Sequence, residues 1–266
     1  MQKHQTIRIC LLGDLDVRRF DGTQVAEEEW RTGKTRDLLR LLALANGHPV
    51  RVASLIDKLW PEATPSRARN SLRTAASQIR RSLHESRVVV RQSDALVLRS
   101  AWVDVNAFKA LAHRSRLAAR ESASAEVLTN ARAAQSLYRG DFHAHDDDNP
   151  WAVGERFLLR QLHQEILCDG AVAANDLGLL HEALDLASAA VRLDPTVETA
   201  HRSLMRAHAE LGEVGMALRA FEACRAYLAE ELGVDPSPQT QELHLQILRR
   251  PSELRSPILP RLSVSG

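Results

Sequence analysis

One stretch of the sequence, residues 64–84 (TPSRARNSLRTAASQIRRSLH), constrains the fold more than any other. Its apolar residues recur at the spacing that places them along one side of an α-helix, which turns about 100° per residue. These residues are Ala68, Leu72, Ala75, Ala76, Ile79 and Leu83. Thr64 and Pro65 stand where an N-cap and a first helical residue belong, so we expect a helix that begins at Pro65 and buries one side.

The other side of this helix has the composition of a DNA-recognition helix. Residues 63–84 include five arginines and no acidic residue. Arginine, amide and hydroxyl side chains can hydrogen-bond to base edges and to phosphates. The side chains expected to face bases or the groove are those of Arg67, Asn70, Arg73, Thr74, Ser77 and Arg81. Gln78 and Arg80 are expected on the flanks of this surface. The alternative is a basic helix face that is merely solvated.

The segments on either side of this helix predict a winged-helix domain. The predicted elements are short strands at residues 5–12 and 15–20, helices at 32–46 and 52–60, and hairpin strands at 88–91 and 95–98. In a winged helix the third helix lies in the major groove and the hairpin reaches the flanking backbone. We therefore expect phosphate or wing contacts from a second set of basic residues. These are Lys34, Arg36, Arg80, Arg87 and Arg91.

From about residue 101 the sequence predicts helices alone. Three short segments recur 34 residues later in the chain. Leu177-Gly178, Ala183-Leu184 and Ala187 return as Leu211-Gly212, Ala217-Leu218 and Phe221. This period is typical of tetratricopeptide repeats, in which stacked helix pairs bury a common core. Further helices are expected at residues 105–119, 123–138 and 151–175, and a disordered tail at 251–266.

Charge is divided between the two halves of the chain. Residues 1–100 hold 18 Lys and Arg against 11 Asp and Glu, whereas residues 101–266 hold 17 against 23. This division favours a polyanion-binding module joined to a module that contacts protein. The 266 residues leave room for two hydrophobic cores. With no run of 18 apolar residues and no secretory signal, the sequence predicts a cytoplasmic protein with no membrane partner.

Patterns typical of catalysis, nucleotide binding and metal binding are weak in this sequence. Gly33-Lys34-Thr35 resembles the end of the phosphate-binding loop GxxxxGK[ST], but Glu28 stands where the first glycine belongs. The segment His143-Ala-His145-Asp146-Asp147-Asp148 has metal-ligand residue types without the spacing of a metal site. The three cysteines are widely spaced and are expected to be buried thiols. We therefore expect no enzyme activity, no catalytic residues, no metal and no cofactor.

Two sets of motifs, one in each half of the chain, carry a family resemblance. The first set is Gly33-Lys34-Thr35-Arg36, the segment from Leu55 to Trp60-Pro61, Ala68-Arg69-Asn70-Ser71-Leu72 and Ile79-Arg80-Arg81-Ser82-Leu83. The second set is Val103-Asp104 to Phe108, Tyr138-Arg139-Gly140-Asp141-Phe142, Pro150-Trp151 with Glu155-Arg156, and Glu231-Leu232-Gly233-Val234-Asp235-Pro236-Ser237-Pro238. Together they resemble the OmpR-type DNA-binding domain and the bacterial transcriptional activation domain of the Streptomyces antibiotic regulatory protein family.

The resemblance implies a pathway-specific activator that binds direct repeats near the −35 element of a promoter and recruits RNA polymerase. It implies contacts with the sigma factor, for which Trp60 and Glu62, in the loop before the arginine-rich helix, are the candidates. Self-association on tandem repeats is a further expectation. The chain departs from the family's usual pattern at Ala95-Leu96, where Gly-Tyr is common, and at Arg73, where glutamine is common.

We therefore predict a mainly α-helical protein with small β-sheets. A winged helix at residues 1–100 would precede an all-α, tetratricopeptide-like activation domain at residues 101–250. The predicted function is sequence-specific activation of transcription from double-stranded promoter DNA, in antibiotic biosynthesis or related secondary metabolism. Two other functions fit the same sequence: a helical-repeat scaffold or co-regulator whose winged helix binds protein, and a regulator that senses a ligand.

Overall fold

The fold is mainly α-helical with two small β-sheets, as predicted. The computed structural model describes residues 6–143 and 149–249. Two compact units make up the chain. The first contains the residues up to His113 together with Ala133–Leu162, and the second contains Arg114–Arg132 together with the chain from His163 onward.

Both β-sheets lie in the first unit. Its strands are β1 (Ile7–Cys10), β2 (Asp16–Arg18), β3 (Val50–Arg51), β4 (Val89–Gln92), β5 (Ala95–Leu98) and β6 (Ala101–Val103). One sheet has the order β2-β1-β6, and the other has the order β3-β5-β4. The predicted hairpin is confirmed as β4 and β5, which pair antiparallel with Val90 opposite Val97. The first sheet differs from the antiparallel strands expected at the N-terminus, because β1 also pairs in parallel with β6.

Three helices of the first unit form the predicted helical part of the winged helix. They are α1 (Gly33–Leu44), α2 (Val52–Leu59) and α3 (Pro65–Ser82). A short 3-10 helix, Glu27–Trp30, precedes them and was not predicted. The apolar stripe expected on α3 is confirmed, since all six of its residues are buried. The stripe packs with α1, α2 and the hairpin, and the opposite side of α3 is left in solvent.

The two ends of α3 add detail that the sequence pattern did not give. Pro65 is the first helical residue, as predicted, and Thr64 has extended backbone angles at the N-cap. Within the part of the chain that the structure describes, however, the Thr64 side chain makes no capping hydrogen bond. Near the other end Gln78 is buried, so its expected position on the DNA-facing flank is wrong. Ser82 Oγ donates to the carbonyl oxygen of Glu29 (2.8 Å), which fixes α3 against the 3-10 helix.

The remaining helices follow the predicted order. They are α4 (Asp104–Arg120), α5 (Ser124–Leu137), α6 (Pro150–Asp176), α7 (Leu180–Leu193), α8 (Glu198–Glu210), α9 (Val214–Glu231) and α10 (Pro238–Arg249). The 34-residue repeat is confirmed in the second unit, where Ala183 and Ala217 are fully buried at equivalent positions. Gly178 and Gly212 occupy equivalent turns with positive φ angles of 70° and 79°, a conformation that favours glycine. None of the described helices has the length and apolar character that a membrane span requires.

Candidate nucleic-acid interface

The solvent side of α3 carries every residue that the sequence predicts for base or groove contacts. Their side chains are exposed: Arg67, Asn70, Arg73, Thr74, Ser77 and Arg81. Five of them follow one another at intervals of three or four residues, which places them in a single row along the helix. Arg73 lies beside this row, on the side of α3 that faces the hairpin. The surface can therefore present guanidinium, amide and hydroxyl groups to a groove without an interrupting acid.

A cleft separates α3 from the β4–β5 hairpin and has a volume of about 140 Å³. Its polar lining consists of Arg69, Arg73 and Arg80 from α3 together with Arg91 and Asp94 from the hairpin. Its apolar lining consists of Val52, Leu72, Ala76 and Leu96. We call this space the arginine cleft. Of the predicted contact residues, the structure brings together here Arg73, Arg80 and Arg91.

Arg69 is a member of the arginine cleft that the sequence prediction missed. The prediction followed the row opposite the apolar stripe, and Arg69 lies one residue after Ala68, the first residue of that stripe. A signal was nevertheless present, because positions 69, 73 and 80 are separated by four and seven residues and so share one helix face. That face becomes important only when the hairpin folds beside it.

Two of the predicted backbone-contacting arginines also hold the hairpin in place. Arg80 Nε donates a hydrogen bond to the carbonyl oxygen of Val89 (2.8 Å), which ties β4 to α3. Arg91 Nε donates to the carbonyl oxygen of Ser93 (3.0 Å), and its Nη2 lies 3.7 Å from Asp94 Oδ1. The hairpin is thus positioned by the same type of side chain that is expected to contact phosphates.

The other three predicted backbone-contacting residues lie outside the arginine cleft. Lys34 is half-buried in the first turn of α1. Arg36 Nη1 lies 2.5 Å from Glu27 Oε1, and Arg36 lines a different cavity of about 690 Å³. Arg87 is exposed in the loop before β4, where its backbone N–H donates to Glu85 Oε1 (2.8 Å). The structure therefore separates the predicted phosphate contacts into cleft and non-cleft groups.

The loop between α2 and α3 contains the two residues predicted to contact polymerase. Trp60 is half-buried, and its backbone N–H donates to the carbonyl oxygen of Ile56 (2.8 Å) at the end of α2. The carbonyl oxygen of Trp60 in turn accepts from Ala63 N–H (3.1 Å). Glu62 lies within this tight turn and is exposed. The turn leaves its carboxylate in solvent just before α3 begins.

Comparison with known proteins decides which family contains this interface. The model of the bacterial transcriptional activator domain matches residues 103–248, which is more than half of the chain. The model described as transcriptional regulatory protein, C terminal, matches residues 27–93. The regulatory protein DnrI of Streptomyces peucetius is 31% identical over 264 residues, covering 91% of this chain and 92% of DnrI. This chain belongs to the Streptomyces antibiotic regulatory protein family.

Relatives of other lengths match nearly the whole of this chain. The regulatory protein AfsR of Streptomyces griseus is 28% identical over 253 residues, which cover 94% of this chain but only 25% of AfsR. The chain therefore spans about a quarter of that relative. The solved structure of Mycobacterium tuberculosis EmbR, in complex with a low-affinity phosphopeptide, superposes with a TM-score of 0.78 at 26% identity. That match covers 92% of this chain and 65% of EmbR.

In this family member, several motifs that carry the resemblance join parts of the first unit together. The Asp104 carboxylate is buried at the start of α4 and accepts from the backbone N–H groups of Leu11 (2.8 Å), Leu12 (3.0 Å) and Val105 (2.7 Å). Burial raises the pKa of this carboxyl group, and the three N–H donors partly offset that rise. Asp104 is therefore a structural anchor between α4 and the chain that follows β1.

The Tyr-Arg-Gly-Asp-Phe motif also has structural contacts in the first unit. Tyr138 Oη donates to Asp141 Oδ1 (2.7 Å), and burial raises the pKa of this tyrosine. Arg156 Nε donates to the carbonyl oxygen of Phe142 (3.0 Å). Gly140 lies so close to Gly13 that a Cβ atom on Gly140 would come 3.2 Å from Gly13 Cα. These contacts give Tyr138, Gly140 and Phe142 of the motif structural roles within the first unit.

The last of the family motifs, residues 231–238, ends at the start of α10 in the second unit, where Ser237 forms hydrogen bonds. Glu198 of α8 accepts from Ser237 N (2.9 Å), Ser237 Oγ (2.7 Å) and Thr240 Oγ1 (2.5 Å). Burial alone would raise the pKa of Glu198, but the hydrogen bonds from Thr240 and Ser237, with Arg202 nearby, hold this pKa below its usual value. A carboxylate at a helix N-terminus is also favoured by the helix dipole.

The metal-type segment and the cysteines considered in the sequence analysis form no metal site among the described residues. His143 is buried, with Nε2 3.2 Å from Asp37 Oδ1, but the rest of the His-Asp segment, residues 144–148, lies outside the described residues. Within the described ranges no group of three or more His, Cys, Asp and Glu side chains is arranged to hold a metal ion. Burial raises the pKa of Cys168 to about 12 and of Cys224 to about 11, so both favour the protonated thiol.

Proposed function

We propose that this protein is a sequence-specific transcriptional activator that binds direct repeats near the −35 element of a promoter. The observation that carries the proposal is the acid-free, exposed side of α3, which continues into the arginine cleft beside the hairpin. In winged-helix proteins this pair of elements meets the major groove and the adjacent backbone. Residues 1–100 would form the DNA-binding domain, and residues 101–250 the activation domain.

We further propose that the bound protein recruits RNA polymerase, including its sigma factor, in the cytoplasm. Membership of a family of transcriptional activators supports this partner. The exposed Glu62 beside α3 supplies a candidate contact, because a carboxylate next to the DNA can pair with a basic patch on a neighbouring protein. Self-association would occur on the tandem repeats of the operator, and the target genes would belong to one secondary-metabolic pathway.

A salt titration tests the DNA-binding part of the proposal. If α3, the hairpin and Lys34 neutralise about five to seven phosphates, log K should fall against log salt with a slope of about −5. Fluorescence anisotropy of the full chain with labelled duplexes measures this slope. A flat dependence on salt would contradict the proposal.

Two alanine variants separate base contacts from backbone contacts. Arg73→Ala should weaken binding to the preferred duplex by about 1 to 3 kcal/mol and relax its specificity, because Arg73 lies in the first half of α3, near base edges. Lys34→Ala should weaken binding to all duplexes alike. Arg206→Ala, which removes an exposed arginine of α8, is the matched control and should change neither. Equal losses on preferred and random DNA would make Arg73 a backbone contact.

A further inference from the structure

The arginine cleft contains an acidic side chain at its edge. Among the described residues that line it, Asp94 is the only carboxylate beside Arg69, Arg73, Arg80 and Arg91. The backbone of Asp94 is fixed, because its carbonyl oxygen accepts from Val52 N–H (2.9 Å) at the start of α2. This contact keeps the residue at the edge of the cleft, and its carboxylate remains largely exposed to solvent.

The cleft has the size and charge of a phosphate-binding site. Its volume of about 140 Å³ is enough for several water molecules and so for one phosphate group. Guanidinium groups bind phosphate oxygens through paired N–H donors. Arg91 Nη2 lies 3.7 Å from Asp94 Oδ1, so the carboxylate already interacts with one of the guanidinium groups that a phosphate would use.

We propose that the arginine cleft binds one DNA phosphate and that Asp94 is a built-in competing anion, which engages Arg91 in the free protein and lowers affinity for DNA of every sequence. The role in DNA binding rests on the proposed function. A phosphate that enters the cleft must displace Asp94 from Arg91 and lie near a like charge. Both effects oppose binding, and neither depends on the bases, because the phosphate backbone is the same in every sequence.

The test compares Asp94→Asn with wild type in the full chain. Asparagine keeps the shape of the side chain and suits a turn, so the hairpin should fold unchanged. Anisotropy is measured on a panel of 30-bp duplexes of unrelated sequence over a range of salt concentrations. We expect Kd to fall about two- to fivefold on every duplex, and the salt slope to steepen by about 0.5 to 1, because the cleft then presents more net positive charge to the DNA backbone.

Two further variants give the test its controls. Glu230→Gln removes one exposed carboxylate from α9 and should leave Kd within about 1.5-fold of wild type, because it changes net charge without touching the cleft. Compared with Arg91→Ala alone, the double variant Arg91→Ala with Asp94→Asn should gain less affinity than Asp94→Asn gains over wild type, because only the repulsion between Asp94 and the phosphate remains to be removed. A gain of full size without Arg91 would contradict the proposed competition.

A readout without DNA separates this inference from the proposed function. Inorganic phosphate should stabilise Asp94→Asn against heat more than it stabilises wild type, and should stabilise Arg69→Ala less than wild type. If inorganic phosphate behaves in this way but no duplex binds, the phosphate site stands and the proposed function fails. If wild type binds DNA but Asp94→Asn has unchanged or weaker affinity, the inference fails and the proposed function stands. A gain confined to some sequences would make Asp94 a base-reading residue, and the competition would be wrong.

Discussion

At the scale of single residues, the side chain of Asp104 anchors the start of α4 to the chain that follows β1. Its buried carboxylate accepts from three backbone N–H groups, those of Leu11, Leu12 and Val105. Asp104→Ala would leave these buried donors without an acceptor, and we expect a loss of about 3 kcal/mol in the free energy of unfolding. Asp104→Asn keeps one acceptor oxygen and should cost less. Urea unfolding measures both, with Asp57→Ala on the exposed side of α2 as control, and a loss below about 1 kcal/mol for Asp104→Ala would contradict the anchoring role.

At the scale of elements, the start of α10 is coupled to pH through Glu198. Its pKa is below the usual value in the folded protein, so ionised Glu198 stabilises the fold above the pKa of the unfolded state. This stabilisation is lost as the pH falls through the folded pKa, in the region below about pH 5. Glu198→Gln should therefore destabilise the second unit at pH 7 and much less at pH 3.5, measured by thermal unfolding. Glu230→Gln should show no such difference, and an equal loss from Glu198→Gln at both pH values would exclude the linkage.

At the scale of the whole molecule, the basic and acidic halves of the sequence predict that the proposed DNA binding and the proposed activation can be separated. Residues 101–266 carry an excess of acidic side chains, which DNA repels and which remain available to protein. We expect Glu62→Lys to keep DNA affinity within about threefold, or about 0.7 kcal/mol, yet to lower transcription in a reconstituted assay. Glu230→Lys is the matched charge reversal. Transcription that falls only in proportion to DNA binding would move the activating surface to residues 101–250.

Much of this fold could be predicted because its strongest signals are local. The buried stripe of α3, the hairpin and the 34-residue repeat each follow from the spacing of residues close in sequence. The parallel pairing of β1 with β6 could not be predicted, because it joins residues more than 90 positions apart and β6 has only three residues. The sequence predicts Gln78 on the exposed flank of α3, whereas the structure buries it. The apolar pattern predicts which way the buried face of a helix points but not how many residues that face includes.

The residues of the candidate interface also divide into those that the sequence predicts and those that only the tertiary structure identifies. Positions on α3 that face solvent follow from periodicity, so Arg67, Asn70 and Thr74 were identified from the sequence as exposed. Arg69 and Asp94 line the arginine cleft only because the hairpin lies beside α3. No local sequence pattern predicts that packing. The role proposed for them in DNA binding depends on tertiary structure, as does the anchoring contact of Asp104.

The hydrogen bond from Arg80 to Val89 lowers the entropy that the proposed DNA binding would cost. It links α3 to the hairpin within the free protein, so in the proposed function the two elements would meet DNA in an orientation that folding has already set. The entropy lost in ordering the hairpin is then part of folding, and little of it remains to be lost on association. Such preorganisation would also set the distance between the proposed groove contacts and the proposed backbone contacts before the encounter, so the DNA would adapt its groove width to the protein.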